Sequence, residues 1–342
     1  MAKRTSNNKK KKNSDEKRKN IFRALMVRPK NDPHKTFRRT YREDYQRETK
    51  IPGIMHHIVE TFRILLKNWK IFVPLLIVMS LISVVLVGVM NSSNYEKFRE
   101  TLDETTKQTG EIGNVAKAGM LLVSAVSMGG LSGDSNEAAM AFSILILLVT
   151  WLTTIYLLRH RLAGHQVKMR DGLYNAMTPL ISMLVILLVA LVQCVPIFVL
   201  TIAYSAAIQT EFLATPFYAL LFFVFAMLMI TLSGYLLSSS LIAMIATSAP
   251  GMYPMQALST ASDLMMGRRT KFIIRLIALL LVVVIGWVII MIPVILFDLW
   301  LKQFARAEGL PLVPICFTVM VLMTTIYATA YLYLYYRWLL EE

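Results

Sequence analysis

The chain has 342 residues, 56% of them hydrophobic and 17% charged, against about 25% charged in an ordinary soluble domain. Its formal charge of +15 is concentrated, because residues 1–70 carry 21 of the 36 Lys and Arg but 7 of the 21 Asp and Glu, a net +14. This excludes a soluble globular domain and points to a nearly neutral membrane body behind a basic arm; Cys194 and Cys316, both inside apolar runs, exclude a disulfide framework or a zinc cluster.

In chain order, residues 1–19 hold almost no apolar side chain to bury and read as a disordered tail. The basic composition extends to about residue 50, which sets a tail of 1–50 and a membrane domain of 51–342. Within the tail, Ile21, Phe22, Leu25 and Met26 suit a short amphipathic turn, and RPKNDPHK reads as a Pro-punctuated linker. Phe37, Tyr41 and Tyr45 then recur at helical spacing, as on a surface or interfacial helix; an RNA-reading patch is the alternative. Lys9, Lys10, Lys11, Lys12, Lys17, Arg18 and Lys19 are candidate contacts for anionic lipid, at about 1 kcal/mol per charge near the surface. They suit nucleic-acid phosphates by the same chemistry, with steep salt dependence, although nothing in the tail offers base readout. Setting topology and solubility is the third reading.

A span needs about 20 mostly apolar residues, and six segments qualify: 71–90, 138–158, 179–204, 217–247, 272–293 and 312–336. No cleavable leader precedes the first, so it is expected to stay in the mature protein. Basic residues cluster near alternate span ends. Arg159, Arg161, Lys168 and Arg170 fall on the tail side, as do Arg268, Arg269, Lys271, Arg275 and Arg337. Residues 209–216 have no Lys or Arg, and 298–311 have only Lys302 and Arg306. The rule that positive loops face the cytoplasm then places both termini inside a prokaryotic-type cytoplasmic membrane. Pro196 and Pro293 each follow an apolar run and are expected to break their helices. Beyond Pro293, residues 294–311 read as an in-plane outer helix, and 115–130 as an interfacial or re-entrant piece.

The segments preceding the first, third and fifth spans share a pattern. Ile54, Ile58, Phe62, Leu65 and Trp69 form one stripe, residues 167–177 a shorter one, and Met255, Leu258, Ser262, Met265 and Met266 a third. Each leads into a long apolar helix through a polar or basic joint. The expected architecture is therefore all-α and polytopic, three helical hairpins with tail-side amphipathic helices.

The run GMYPMQALSTASDLMMGRRTKFIIRL (251–276), then IIMIPVILFD (289–298) and TFRILLKNWKIF (61–72), resembles the membrane domain of the glycerophosphodiester phosphodiesterase membrane-domain family. The likeness covers about residues 54–336. In that family the membrane domain is not the catalytic part, so the resemblance implies an architecture and no activity.

The body offers little chemistry. Gln193 is the one strongly polar side chain well inside a span, a candidate intramembrane site or a helix-to-helix link. His56 and His57 are adjacent and His160 and His165 are five apart, spacings that fit interfacial histidines better than a metal site. No GxSxG, phosphate loop or HExxH occurs. Tyr327, Tyr331, Tyr333, Tyr335, Tyr336 and Trp338 read as an anchoring belt at the end of the last span. No catalytic residue, metal site or cofactor is assigned. The expected role is to organise lipid or partner membrane proteins, with a transporter component, and more weakly a lipid headgroup enzyme, as alternatives.

Overall fold

The computed structural model describes residues 52–87, 137–210, 212–249, 251–301 and 312–340. The basic tail and residues 115–130 lie outside the described residues. Among those described, every regular element is helical: α1 (Ile54–Lys67), α2 (Trp69–Val87), α3 (Glu137–Leu162), α4 (Met169–Ala176), α5 (Leu180–Gln193), α6 (Val195–Gln209), α7 (Pro216–Ala246), α8 (Pro254–Met265), α9 (Arg269–Leu301) and α10 (Leu312–Leu340). Among the described residues, six stretches are long and apolar enough to cross a membrane: Trp69–Leu86, Ala139–Leu162, Leu180–Gln209, Pro216–Ala246, Arg269–Asp298 and Leu312–Leu340. The protein is an all-α, multi-pass membrane protein. Runs of this composition adopt helix because a backbone in hydrocarbon must satisfy its polar groups within itself.

Two prolines of similar surroundings act differently. At Pro196 the third span is interrupted, α5 ending at Gln193 and α6 starting at Val195. Pro293 instead lies inside the continuous α9, which runs on to Leu301. That corrects the expected break, and residues 294–301 extend the span helix and do not start an in-plane one. Without water to compete for the carbonyl that proline frees, a span can pass through proline and stay helical.

The short helices α1, α4 and α8 each bury an i, i+4 pair of residues: His57 and Thr61, Gly172 and Ala176, Ala257 and Ala261. Each outgoing span packs on its own returning span: α2 on α3, α5 on α7, α9 on α10. Each short helix packs on the returning span of the preceding hairpin: α4 on α3, and α8 on α7. The first one closes the circle, α1 packing on α10 of the last hairpin. Each outgoing span also touches the preceding returning span, α2 on α10, α5 on α3 and α9 on α7. Three hairpins thus form a cyclic arrangement in which α3 and α10 are the most buried spans.

Small residues allow the short helices to approach. A Cβ at Gly172 would stand 2.8 Å from Leu157 Cδ2 and 2.9 Å from its Cγ. Where α3 gives way to the segment before α4, Gly164 takes φ +85°, a left-handed conformation that glycine adopts without a steric cost. The main core joins Leu152 and Ile155 of α3, Ile242 to Ala246 of α7, Ala257, Ala261 and Met265 of α8, Phe272 of α9 and Tyr335 of α10.

Candidate functional site

The seam where α1 meets α9 and α10 holds the most connected polar group in the described body. His57 is fully buried, and its imidazole stacks on Tyr331 with ring centroids 3.6 Å apart and meets the Trp338 ring edge at 4.6 Å. Its Nε2 lies 2.9 Å from Tyr331 O, and its Nδ1 3.2 Å from Arg275 Nη1. A carbonyl only accepts and a guanidinium only donates, so Nε2 carries the proton and Nδ1 is the acceptor. Arg275, itself buried, also donates through Nη2 to Pro52 O at 2.6 Å, and the Tyr331 hydroxyl donates to Arg275 O at 3.3 Å. Burial pushes the imidazole down to about 3 from its ordinary 6.5; the hydrogen bond to Tyr331 opposes this, and the Arg275 and His56 charges add to it. The group therefore stays neutral and fixes the start of α1 to the inner ends of two spans. Catalysis would need a base titrating near the working pH and facing a space for substrate, and this imidazole has neither.

Gln193, half-buried, is bonded to α7 through both of its oxygens. Its Oε1 accepts from Ser240 Oγ at 2.7 Å, and its backbone O accepts from Ser233 Oγ at 2.8 Å. The second bond follows from the break at Pro196. Ile197 N–H, whose regular partner would be Gln193 O, bonds Cys194 O at 2.9 Å, leaving Gln193 O for the serine. Two hydroxyls of α7 thus hold the bend between α5 and α6.

A groove of about 520 Å³ lies between α1–α2 on one side and α9 on the other, floored by α10. It is bounded by Phe62, Leu66 and Trp69 above, Val73 and Leu76 on α2, Gly286, Trp287 and Ile290 on α9, and Met320, Met323 and Tyr327 on the floor. Its volume lies within the range of about 300–1,000 Å³ usual for small-molecule sites. Its lining is almost wholly apolar.

The structure gathers few of the residues singled out from sequence. Lys9 to Lys12, Lys17, Arg18 and Lys19 lie outside the described residues. Arg268, Arg269 and Lys271 do not form one patch: Arg268 is buried, while Lys271 is exposed. Arg269 sits 3.9 Å over the Tyr235 ring and donates to Tyr235 O and Ser262 Oγ, both at 3.3 Å. His160 bonds Tyr156 O through Nδ1 at 2.9 Å, with the His165 ring 6.3 Å away. His57 was read with His56 as interfacial, and Arg275 only as a topology signal; their meeting was missed. The one available hint was a lone Arg inside the apolar start of the fifth span. Compared with known proteins, the chain matches no family model, no curated protein and no solved structure.

Proposed function

We propose that this protein is a non-catalytic membrane body that organises lipid in a cytoplasmic-type membrane, its basic tail facing the cytoplasm and drawn to anionic headgroups. The groove carries the reading: a cleft of about 520 Å³, lined almost wholly by apolar side chains, suits an acyl chain and not a polar solute crossing the membrane. The bond from Ser240 to the Gln193 side-chain oxygen supports the same side, since it engages that group between helices. The basic residues near alternate span ends support the orientation. The likeness to the glycerophosphodiester phosphodiesterase membrane domain is kept as a proposal about architecture alone.

The test is purification in native-lipid particles, followed by mass spectrometry of everything retained, for the full chain and for a variant lacking residues 1–50. Anionic lipid retained by both supports a site in the membrane body. Lipid lost with the tail supports recruitment through the basic arm. Retention of a water-soluble solute and no enriched lipid would turn the assignment toward transport.

A further inference from the structure

Resting on the lipid-organising reading, we infer that the groove between α1–α2 and α9 binds one acyl chain of an anionic phospholipid. The lipid belongs to the leaflet beneath α1, and its headgroup is held by Arg63, Lys67 and Lys70. Depth, amphipathic design and charge make the case.

Arg275 and Tyr331 mark the level at which α1 docks, since both bond or stack with the first turn of that helix. Along α9 the groove residues Val282 to Ile290 lie from ~10 to ~22 Å below Arg275 at 1.5 Å per residue. Half of a ~30 Å hydrocarbon core is ~15 Å. The groove therefore runs from the level of α1, which lines its upper end, to the bilayer centre, the path of one acyl chain in that leaflet.

Helix α1 is built to roof such a chain. Met55, Val59, Phe62 and Leu66 form a row of exposed apolar side chains, and Trp69 continues it at the start of α2. Phe62, Leu66 and Trp69 of this row line the groove. A soluble helix would bury this row, whereas here it is turned to the hydrocarbon. Arg63, Lys67 and Lys70 each follow one residue after these three and are exposed. One residue is about 100° around a helix, so Arg63 and Lys67 flank the second half of the apolar row on α1, and Lys70 follows at the start of α2. The acid on α1, Glu60, is engaged by His56 at 3.2 Å. No acid is paired with Arg63, Lys67 or Lys70 among the described residues, and an anionic headgroup would supply their counter-charge.

Gly286 makes the site testable without disturbing the fold. It lines the groove, and a Cβ added there would meet nothing within 4 Å. Gly286→Phe should fill the groove and leave the helix contacts in place.

The probe is a variant in which Trp287 is the sole tryptophan, Trp69, Trp151, Trp300 and Trp338 being replaced by Phe. It is reconstituted in phosphatidylcholine vesicles with graded amounts of phosphatidylglycerol or phosphatidylcholine brominated on the acyl chain. Bromolipid in the groove quenches Trp287. We expect half-maximal quenching at a mole fraction about fivefold lower for the anionic lipid, the scale of one surface cation acting on a headgroup. Arg63→Gln with Lys67→Gln and Lys70→Gln should erase the preference. Equal quenching by both lipids would reduce the groove to ordinary annular contact, and no quenching by either would mean that protein, such as a second copy, fills it; both overturn the inference. Lipid retention from equimolar vesicles, read by mass spectrometry, needs none of the four Phe substitutions. Loss of phosphatidylglycerol from Gly286→Phe but not from the native chain supports the site. Equal retention by both refutes the site while the broader reading stands, and no retention by either refutes both.

Discussion

His57 shows how one side chain can carry an element. Its two nitrogens connect the backbone of α10 to a guanidinium of α9, and that guanidinium reaches Pro52 before α1. Truncation in His57→Ala leaves two buried partners unmet, which costs about 1–3 kcal/mol and should appear as a lower unfolding temperature of the purified protein. Because the folded imidazole is held at about 3 against an ordinary 6.5, the docked state binds fewer protons than the undocked one. Its stabilising effect is complete above about pH 6.5 and is lost as the pH falls toward 3. His57→Gln, which can donate and accept at the same places without titrating, should keep α1 docked at pH 7.5 and lose the acid sensitivity. Protease cleavage within α1 at pH 7.5 and 4.5 would show it. Gly172 is the second such position. Gly172→Val drives side-chain atoms into Leu157, fully buried and unable to swing away, and overpacking of this kind costs about 1–3 kcal/mol. Equal melting temperatures for Gly172→Val and the native chain would refute the close approach of α4 to α3.

At the scale of elements, the two prolines show what a residue's identity leaves open. At Pro196 one helical segment ends, Ser233 of α7 taking up the Gln193 carbonyl that the break releases, whereas Pro293 is carried inside a single helix. Ser240→Ala and Ser233→Ala should each lower stability by about 0.6–2 kcal/mol, the range of interhelical hydrogen bonds in membranes. Their double mutant should lose less than the sum if the two hydroxyls hold one bend, which a double-mutant cycle on unfolding would measure. The stripe on α1 was legible in part. Phe62 and Trp69 were placed on its apolar row, but Ile58 and Leu65 lie closer to the packed flank and Met55, Val59 and Leu66 complete the exposed row. Three faces on one helix, facing water, lipid and protein, do not reduce to a two-way apolar–polar pattern.

On the scale of the whole molecule, the three hairpins support one another in a cycle, each short helix resting on the returning span of the preceding unit. The first hairpin is therefore held by both the second and the third. Chains divided at the exposed Gly164–His165 turn and co-expressed should reassemble, and affinity capture of one fragment in mild detergent should bring the other. Failure to co-purify would mean that continuity of the chain, not packing of α3 with α10 and α4, holds the units together.

The sequence by itself determined that the chain is helical and spans a membrane six times, because hydrocarbon admits little else for apolar runs of this length. The threefold pattern of short helix and hairpin was also legible, through joints such as KNWK and GRRTK. Which face of each span looks inward was left to the tertiary structure. A span is apolar toward lipid and toward protein alike, so no periodicity separates the two. For that reason the meeting of His57 with Arg275, 218 residues further on, and the groove between α1–α2 and α9 exist only once the cycle of hairpins has closed.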